Sequence, residues 1–308
     1  MPPKSPYPSG SGRPLEIPVF GPDTSAVAAV LSSSSTTGGD GARRLELNRA
    51  GSYGVGGTTP TIDELAALVA AISGGDEGNA TAVRVMIRPR GAPPPPEPDF
   101  VYSEAEFDVM RDDIARFVQS GLLRPERGDG FVFGILKRGT GEGVDVDVER
   151  NAELVRLARP FKCVFHRAFD DVVGSKARLS QDSQPLADDN SWVEALAAVE
   201  ACGFDGILTS GGPGNAVDNA ARIGRIASEA GGRIEIIVGG GVRSGNVREL
   251  ASGMRKGAGG SEALGAVWFH SSCLCVRDGV DQFDTEEATR LLQELRSIDG
   301  ALLDGLRD

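Results

Sequence analysis

Short apolar segments alternate along the chain with segments in which apolar residues recur at helical spacing. The predicted strands lie at residues 15–20, 41–48, 83–87, 130–136, 163–166, 206–212, 234–238 and 265–272. The predicted helices lie at 24–31, from 61 to the glycines at 74 and 75, and at 103–121, 147–158, 191–203, 215–230, 246–256 and 285–306. Residues 175–189 are polar, which predicts a loop.

The alternation of eight strands with eight helices predicts the fold. Successive βα units form a parallel sheet, and eight such units close a TIM barrel. An open doubly wound sheet is the alternative, but no Gly-x-Gly-x-x-Gly pattern follows the first strand. We therefore predict an α/β protein with a single TIM (β/α)8 barrel over residues 15–308. Residues 1–14, rich in proline, glycine and serine, are predicted to be a disordered tail.

Two of the predicted helices begin with a capping box. Thr61 is followed three residues later by Glu64, and Ser103 is followed in the same way by Glu106. In this pattern the hydroxyl and the carboxylate each accept a hydrogen bond from the other residue's backbone, which predicts helix starts at both places.

The segment at residues 161–170 turns from apolar to polar at His166, one of two histidines in the chain. In a barrel, polar residues after the strands converge on one mouth. On an extended chain His166 and Asp170 share a face, while Arg167 lies on the other; which face meets the barrel axis stays open. His166 and Asp170 are therefore candidate catalytic residues. The alternative for a lone histidine is a partly buried group satisfied inside the fold.

Three further catalytic candidates lie at the ends of the second and third predicted strands. Glu46 shares a strand face with Asn48, and Arg88 and Arg90 flank a proline. A guanidinium group binds oxyanions bidentately, so the arginines predict a ligand with a carboxylate or a phosphate. The alternative is that the arginines pair internally with Glu46 or Asp170.

Glycines and serines follow the last two predicted strands. Gly240 and Gly241 come after the seventh, and Ser271 and Ser272 come after the eighth. Many TIM barrels bind phosphate with backbone N–H groups at this place, so these four residues are candidate anion-binding residues. A plain tight turn is the alternative for the glycines.

Cysteines supply the only soft metal ligands that the sequence places close together. Cys273 and Cys275 are candidate ligands for Cu(I), which favours thiolates, although ordinary reduced thiols in a loop are the alternative. The chain has four cysteines, and no disulfide framework is expected.

Charge and hydropathy exclude several kinds of partner. The net charge of −12 argues against nucleic acid and against an anionic membrane, because both require a basic surface. No apolar run approaches the ~20 residues of a membrane span, and the N-terminal segment does not match a secretory signal. A soluble, cytoplasmic protein that binds a small anionic molecule or a metal ion is expected.

Several blocks of the sequence resemble the CutC copper-homeostasis family. They run in family order and are Arg44–Leu47, Met86–Gly91, Phe100–Ser103, Phe131–Gly134, Phe165–Asp170, Leu208–Gly211, Gly239–Val242 and Phe269–Ser272. The Arg-Pro-Arg and His-Arg-Ala-Phe-Asp blocks are the specific ones. The resemblance implies a single TIM barrel, a cytoplasmic setting, homo-oligomers and a role in copper handling, with Cu(I) as the implied cofactor.

The sequence departs from the family at two positions. Members for which Cu(I) binding is proposed carry a cysteine after the Glu-hydrophobic pair of the first strand and another at the end of the second. Pro18 and Asn48 stand there in this chain, and neither supplies a thiolate. Two hypotheses follow: a CutC-type copper-homeostasis protein, or a TIM-barrel enzyme that acts on a phosphorylated or carboxylated small metabolite. A purely structural or partner-binding role is a third alternative, for which no patch of the sequence gives a signal.

Overall fold

The computed structural model describes residues 15–22, 44–73, 81–139, 143–179, 191–259, 267–277 and 280–304. The predicted tail at 1–14 and the predicted helix at 24–31 lie outside these described residues. Within them, no helix combines the length and the hydropathy that crossing a membrane requires.

The strands of the described chain are β1 (Leu15–Phe20), β2 (Arg44–Asn48), β3 (Ala82–Met86), β4 (Gly130–Phe133), β5 (Leu136–Arg138), β6 (Val144–Val146), β7 (Lys162–Phe165), β8 (Gly206–Thr209), β9 (Glu235–Val238), β10 (Val267–His270), β11 (Leu274–Arg277) and β12 (Val280–Phe283). Eight of them form a closed barrel in the order β1-β10-β9-β8-β7-β4-β3-β2, and every pair of neighbours is parallel. The predicted TIM barrel is confirmed, and the open sheet is excluded because β1 pairs with both β2 and β10.

Side chains alternate between the outside and the inside of the barrel wall. On β4, Phe131 and Phe133 pack in the large core that the strands share with the helices, while Val132 belongs to a separate cluster. That cluster takes one residue from each of six strands: Met86, Val132, Val164, Leu208, Ile237 and Trp268. Buried charged residues also point inward: Glu16 on β1, Arg44 and Glu46 on β2, and Arg84 on β3, which has the same parity as Met86. The barrel interior therefore combines an apolar cluster with buried charges on β1, β2 and β3.

Eight helices surround the barrel in the described chain. They are α1 (Ile62–Ile72), α2 (Glu104–Gln119), α3 (Val148–Ala158), α4 (Ala168–Leu179), α5 (Ser191–Cys202), α6 (Ala220–Ala230), α7 (Val247–Gly257) and α8 (Thr285–Asp304). Both predicted capping boxes are confirmed, because Thr61 and Ser103 each accept from the backbone three residues on while Glu64 and Glu106 accept in return.

Helix α4 and two hairpins differ from the prediction. The predicted loop at 175–189 is wrong over its first residues, because α4 continues to Leu179. Val172 and Val173 are buried, and the hydroxyl of Ser175 donates to the carbonyl of Val172 at 3.1 Å, so a polar stretch is accommodated in the helix. Strands β5 and β6 form one antiparallel pair and β11 and β12 form another, outside the barrel. These pairs were not predicted.

Strand β4 is shorter than predicted, because Leu136 belongs to β5 and only Gly134 and Ile135 lie between the two strands. A Cβ atom at Gly134 would lie 2.8 Å from Nδ1 of His166. A glycine directly after the strand therefore leaves room for the imidazole of the next barrel strand's end.

Candidate site at the barrel mouth

A cavity of about 330 Å³ opens at the carboxyl ends of the barrel strands. Its size and position are those of a small-molecule site in a TIM barrel. Seven of the eleven predicted site residues line it: Glu46, Arg88, His166, Gly240, Gly241, Ser271 and Ser272. Arg167, Arg243 and His270 line it as well.

His166 is held at the end of β7 as a buried, neutral imidazole. Its backbone N–H donates to the carbonyl of Phe133 at 3.1 Å, and its ring centroid lies 4.5 Å from that of Phe100. Burial, and then the nearby charge of Arg88, lower the pKa of His166 to about 3. Nδ1 accepts from the backbone N–H of Ala168 at 3.3 Å, so the proton of the neutral ring lies on Nε2. Among the described residues, Nε2 has no hydrogen-bond partner.

Asp170 lies outside the group of residues that line the cavity. The prediction that it shares a face with His166 assumed an extended chain, but β7 ends at Phe165 and Asp170 is in the first turn of α4. Its carboxylate accepts from the hydroxyls of Thr209 and Ser210 at 2.5 and 2.8 Å, from nearby backbone N–H groups, and from Arg167 at 2.9 Å. Asp170 therefore ties the start of α4 to the end of β8.

The two predicted arginines have different places. Arg88 is buried at the mouth, where Nη1 donates to the carbonyls of Val55 and Gly57 at 2.6 and 2.8 Å and Nη2 lies 2.7 Å from Asp99. Its Nε is buried without a partner among the described residues. Arg90 is not in the cavity wall. The alternative pairing with Glu46 or Asp170 is wrong, because Asp99 is the acidic partner of Arg88.

Arg90 binds two acidic residues below the mouth. Its Nε lies 2.6 Å from Glu106 and its Nη1 lies 3.6 Å from Asp99, while Nη2 donates to the carbonyl of Val101 at 2.9 Å. Arg90 thus connects the loop before α2 with the capping box of that helix.

The loops after β9 and β10 form another part of the cavity wall. Gly240 and Gly241 adopt φ of +94° and +83°, a backbone region that side chains disfavour, and a Cβ on Gly240 would lie 2.8 Å from Cβ of Ser210. The hydroxyl of Ser271 donates to the carbonyl of Val242 at 2.7 Å and accepts from Arg243 at 3.1 Å. The glycines therefore allow a close turn that brings backbone and arginine side chains to the same wall.

A buried ionic network joins the neighbouring strands β1, β2, β9 and β10. Glu16 forms an ion pair with Nε of Arg44, and Oε1 of Glu16 lies 2.8 Å from Nδ1 of His270. Nη1 of Arg44 lies 2.9 Å from the carboxylate of Glu235. The guanidinium of Arg44 also stacks on the ring of Trp268 at 3.8 Å.

The network shifts the pKa of its members in opposite directions. Burial raises the pKa of Glu16, but the charge of Arg44 and the contact with His270 outweigh burial and lower it to about 2. Burial and the charge of Glu16 raise the pKa of Glu46, although His270 opposes them. Burial lowers the pKa of His270, but Glu16 and Glu46 outweigh it and the net shift is upward.

The two candidate copper thiols lie away from the cavity wall. Cys273 is buried, and its Sγ lies 3.6 Å from the hydroxyl of Ser271; burial raises its pKa to about 11. Cys275 is half-buried and belongs to β11. A thiolate is the form that binds Cu(I), so burial disfavours the ligand form of Cys273.

Several polar residues of the barrel interior and of the mouth were missed by sequence reasoning. Glu16 and Arg44 occur inside strands, where a single charged residue is also typical of a strand face in water. The signal for these two residues is that both point inward on neighbouring strands and lie opposite each other. That signal is visible only once the register of the strands is known. Arg243 comes two residues after the last glycine of the turn, and its position after a barrel strand was a usable signal.

The fold and this mouth define a class: a TIM-barrel protein with a cavity at the carboxyl ends of its strands that charged and polar side chains help to line. The CutC family model matches residues 28–184 and 186–262, so the chain belongs to the CutC family. A CutC family protein of Chromobacterium violaceum is 35% identical over 232 residues, which are 75% of this chain and 73% of that protein. A human protein named copper homeostasis protein cutC homolog is 32% identical over 243 residues, 79% of this chain and 70% of that protein.

A solved structure shows the same fold. The putative copper homeostasis protein CutC from Streptococcus agalactiae matches with a TM-score of 0.59 and 24% sequence identity, and the match covers 84% of this chain and 98% of that one. The barrel is therefore the family fold.

Proposed function

We propose that this chain acts in copper homeostasis, the role for which its human and mouse relatives are named, and that its molecular activity is to bind a small anionic molecule at the barrel mouth. Family membership supports the cellular role. The molecular activity rests on one observation: Nε of Arg88 and Nε2 of His166 are buried donors without an acceptor among the described residues, and both residues line one cavity.

Unpaired buried donors have a cost that a ligand removes. Leaving such a group without an acceptor costs about 1–3 kcal/mol, so a site with two of them is stabilised when oxygen atoms of a ligand accept from both. A carboxylate or a phosphate carries several acceptor oxygens, and its charge suits the guanidinium of Arg88. The glycine turn and Arg243 on the wall after β9 suit the same charge.

An enzyme that acts on a phosphorylated or carboxylated small molecule is the second candidate, and the neutral state of His166 favours it. With Nδ1 accepting a hydrogen bond and Nε2 carrying the proton, His166 is a hydrogen-bond donor suited to polarise a carbonyl oxygen. Arg88 would bind the anionic group of the same substrate.

Anion-dependent thermal stability tests the proposal. Inorganic phosphate and citrate are titrated into the wild type, Arg88→Ala and Arg90→Ala, and the rise in Tm is compared within each protein. We expect a saturable rise in the wild type and in Arg90→Ala, because Arg90 lies outside the cavity, and no rise in Arg88→Ala. A wild type that does not respond, or an equal rise in Arg88→Ala, contradicts the proposal.

Copper is tested separately, at the thiols. We propose Cys273 and Cys275 as the soft ligands if the chain binds Cu(I), on the family name and on the chemistry of thiolates. Reduced protein competes anaerobically with a chromophoric chelator for Cu(I), and the double variant Cys273→Ser, Cys275→Ser is the comparison. Equal competition by wild type and variant would reject this pair as the copper site.

The family resemblance also supports two proposals on setting and assembly: a cytoplasmic location and a homo-oligomer. Light scattering coupled to size-exclusion chromatography tests the assembly, and fluorescence microscopy of a tagged chain in its own cell tests the location. A monomer at micromolar concentration contradicts the first proposal, and a membrane-associated or exported signal contradicts the second.

A further inference from the structure

Three side chains that could ligate a metal meet at one wall of the mouth. Glu16, Glu46 and His270 each bring one ligand atom within 4.8 Å of the ligand atoms of the other two. They come from β1, β2 and β10, and β1 pairs with both of the other strands. Three rigid, hydrogen-bonded strands therefore hold the cluster, and Glu46 and His270 also line the cavity.

A buried oxygen of Glu46 has no donor. Asn48 Nδ2 donates to Oε1 of Glu46 at 3.0 Å, which fixes the carboxylate, while Oε2 is buried without a hydrogen-bond partner among the described residues. Glu46 is only 4% exposed. A buried carboxylate oxygen of this kind requires a hydrogen-bond donor or a cation. The other two members of the cluster, Glu16 and His270, lie next to it.

The charges around the cluster leave room for a cation. The three carboxylates of Glu16, Glu46 and Glu235 face the two guanidinium groups of Arg44 and Arg84. With a neutral His270, the described part of this network carries a surplus of one negative charge. His270 supplies the balancing charge when it is protonated, and a metal ion that displaces that proton would supply it instead.

We propose that Glu16, Glu46 and His270 form a site for a divalent first-row transition ion, of which Zn²⁺ and Cu²⁺ are the representative probes. Two carboxylates and an imidazole are the donors that these borderline ions accept, whereas Cu(I) prefers thiolates. Three protein ligands leave coordination positions open toward the cavity, as in catalytic metal sites. The site is distinct from the anion contacts at Arg88 and from the thiols at Cys273 and Cys275.

Equilibrium dialysis against Zn²⁺ in a phosphate-free buffer tests the site. The double variant Cys273→Ser, Cys275→Ser is the background, so that thiols do not contribute. Into it are introduced Glu46→Gln, His270→Gln and, as a matched control, Glu235→Gln. Glu235 also pairs with Arg44 but does not belong to the cluster. Circular dichroism confirms that each variant is folded, and Co²⁺ absorption reports whether nitrogen and oxygen, without sulfur, bind the ion.

We expect one Zn²⁺ per chain in the background protein and in Glu235→Gln. Affinity should fall by at least about 10- to 100-fold in Glu46→Gln and in His270→Gln, because losing a direct ligand costs no less than losing an outer-shell partner. The proposal is overturned by absent binding, by binding that needs the cysteines, by unchanged affinity in both cluster variants, or by an equal loss in Glu235→Gln. Because neither phosphate nor citrate is present, failure here leaves the anion proposal standing, and the reverse also holds.

Discussion

His166 is the residue whose protonation state most sharply tests the structure of the mouth. Its pKa of about 3 means that the imidazole stays neutral through the physiological range, because burial and the charge of Arg88 both oppose a second proton. The chain has two histidines, so the imidazole Cε1–H signals in a proton NMR titration are two in number. The variant His166→Gln removes one of them and assigns the other to His270.

We expect the His166 signal to remain unshifted from about pH 8 down to about pH 4. The His270 signal should instead show a midpoint above the usual histidine value of about 6.5, because Glu16 and Glu46 raise its pKa. A midpoint near 6.5 for His166 would refute the buried, neutral imidazole and with it the assignment of the Nε2 proton.

The difference between the folded and the unfolded pKa of His166 predicts a change in stability with pH. The pKa of His166 is about 6.5 in the unfolded chain and about 3 in the fold. A group with a lowered folded pKa stabilises above its unfolded pKa, and this stabilisation is lost as the pH falls. Between about pH 7.5 and pH 5.0 the loss amounts to about 2 kcal/mol. The pKa of His270 is raised, so its contribution to the pH dependence has the opposite sign. Both proteins contain His270, and its contribution therefore cancels when wild type is compared with His166→Gln.

Urea unfolding at both pH values measures that difference. We expect the free energy of unfolding of the wild type to fall by about 2 kcal/mol more than that of His166→Gln over this interval. Equal pH dependence in the two proteins would show that His166 is exposed to protonation in the fold.

Three further predictions follow from the contacts. Asp170→Asn should lower the free energy of unfolding by about 3 kcal/mol, because the charged acceptor that joins α4 to β8 is lost; urea unfolding at neutral pH measures it, and a change near zero would contradict the role. Glu16 has its pKa lowered to about 2, so the stabilisation by its ion pair with Arg44 is present above about pH 4.5 and is lost as the pH falls toward 2. The variant Glu16→Gln should therefore show a weaker loss of stability below pH 4.5 than the wild type, and parallel curves would argue against it. Cys273 is buried and its pKa is raised to about 11, so it should react with iodoacetamide at pH 7.5 more slowly than half-buried Cys275. Peptide mass spectrometry measures the two rates, and faster alkylation of Cys273 would contradict this prediction.

The barrel was predictable because its pattern is redundant. Eight apolar segments, separated by helices with caps such as Thr61 and Ser103, leave few topologies, and a local error in one element does not change the count. The error at α4 shows the limit of the method. Ser175 looks like a loop residue from composition, but in the fold its hydroxyl bonds to the helix backbone and the neighbouring valines are buried.

The site was predictable where residues follow strands and was not predictable where pairing depends on distance in space. His166 and Arg88 reach the cavity as their positions indicated. Asp170 was placed by assuming an extended chain, and Arg90 was placed with Arg88 although its guanidinium pairs with Glu106 and Asp99 outside the cavity wall. Glu16 was missed, because its partner Arg44 and its partner His270 come from neighbouring strands whose register the sequence does not reveal.

One measurement tests the central claim, that the barrel mouth binds a small anion, most directly. Inorganic phosphate is titrated into the wild type at about pH 7.5 while the Cε1–H signal of His166 is followed. We predict a saturable shift of this signal, which is absent in Arg88→Ala and retained in Arg90→Ala. A His166 signal that does not move with phosphate, or that moves equally in Arg88→Ala, would contradict the account.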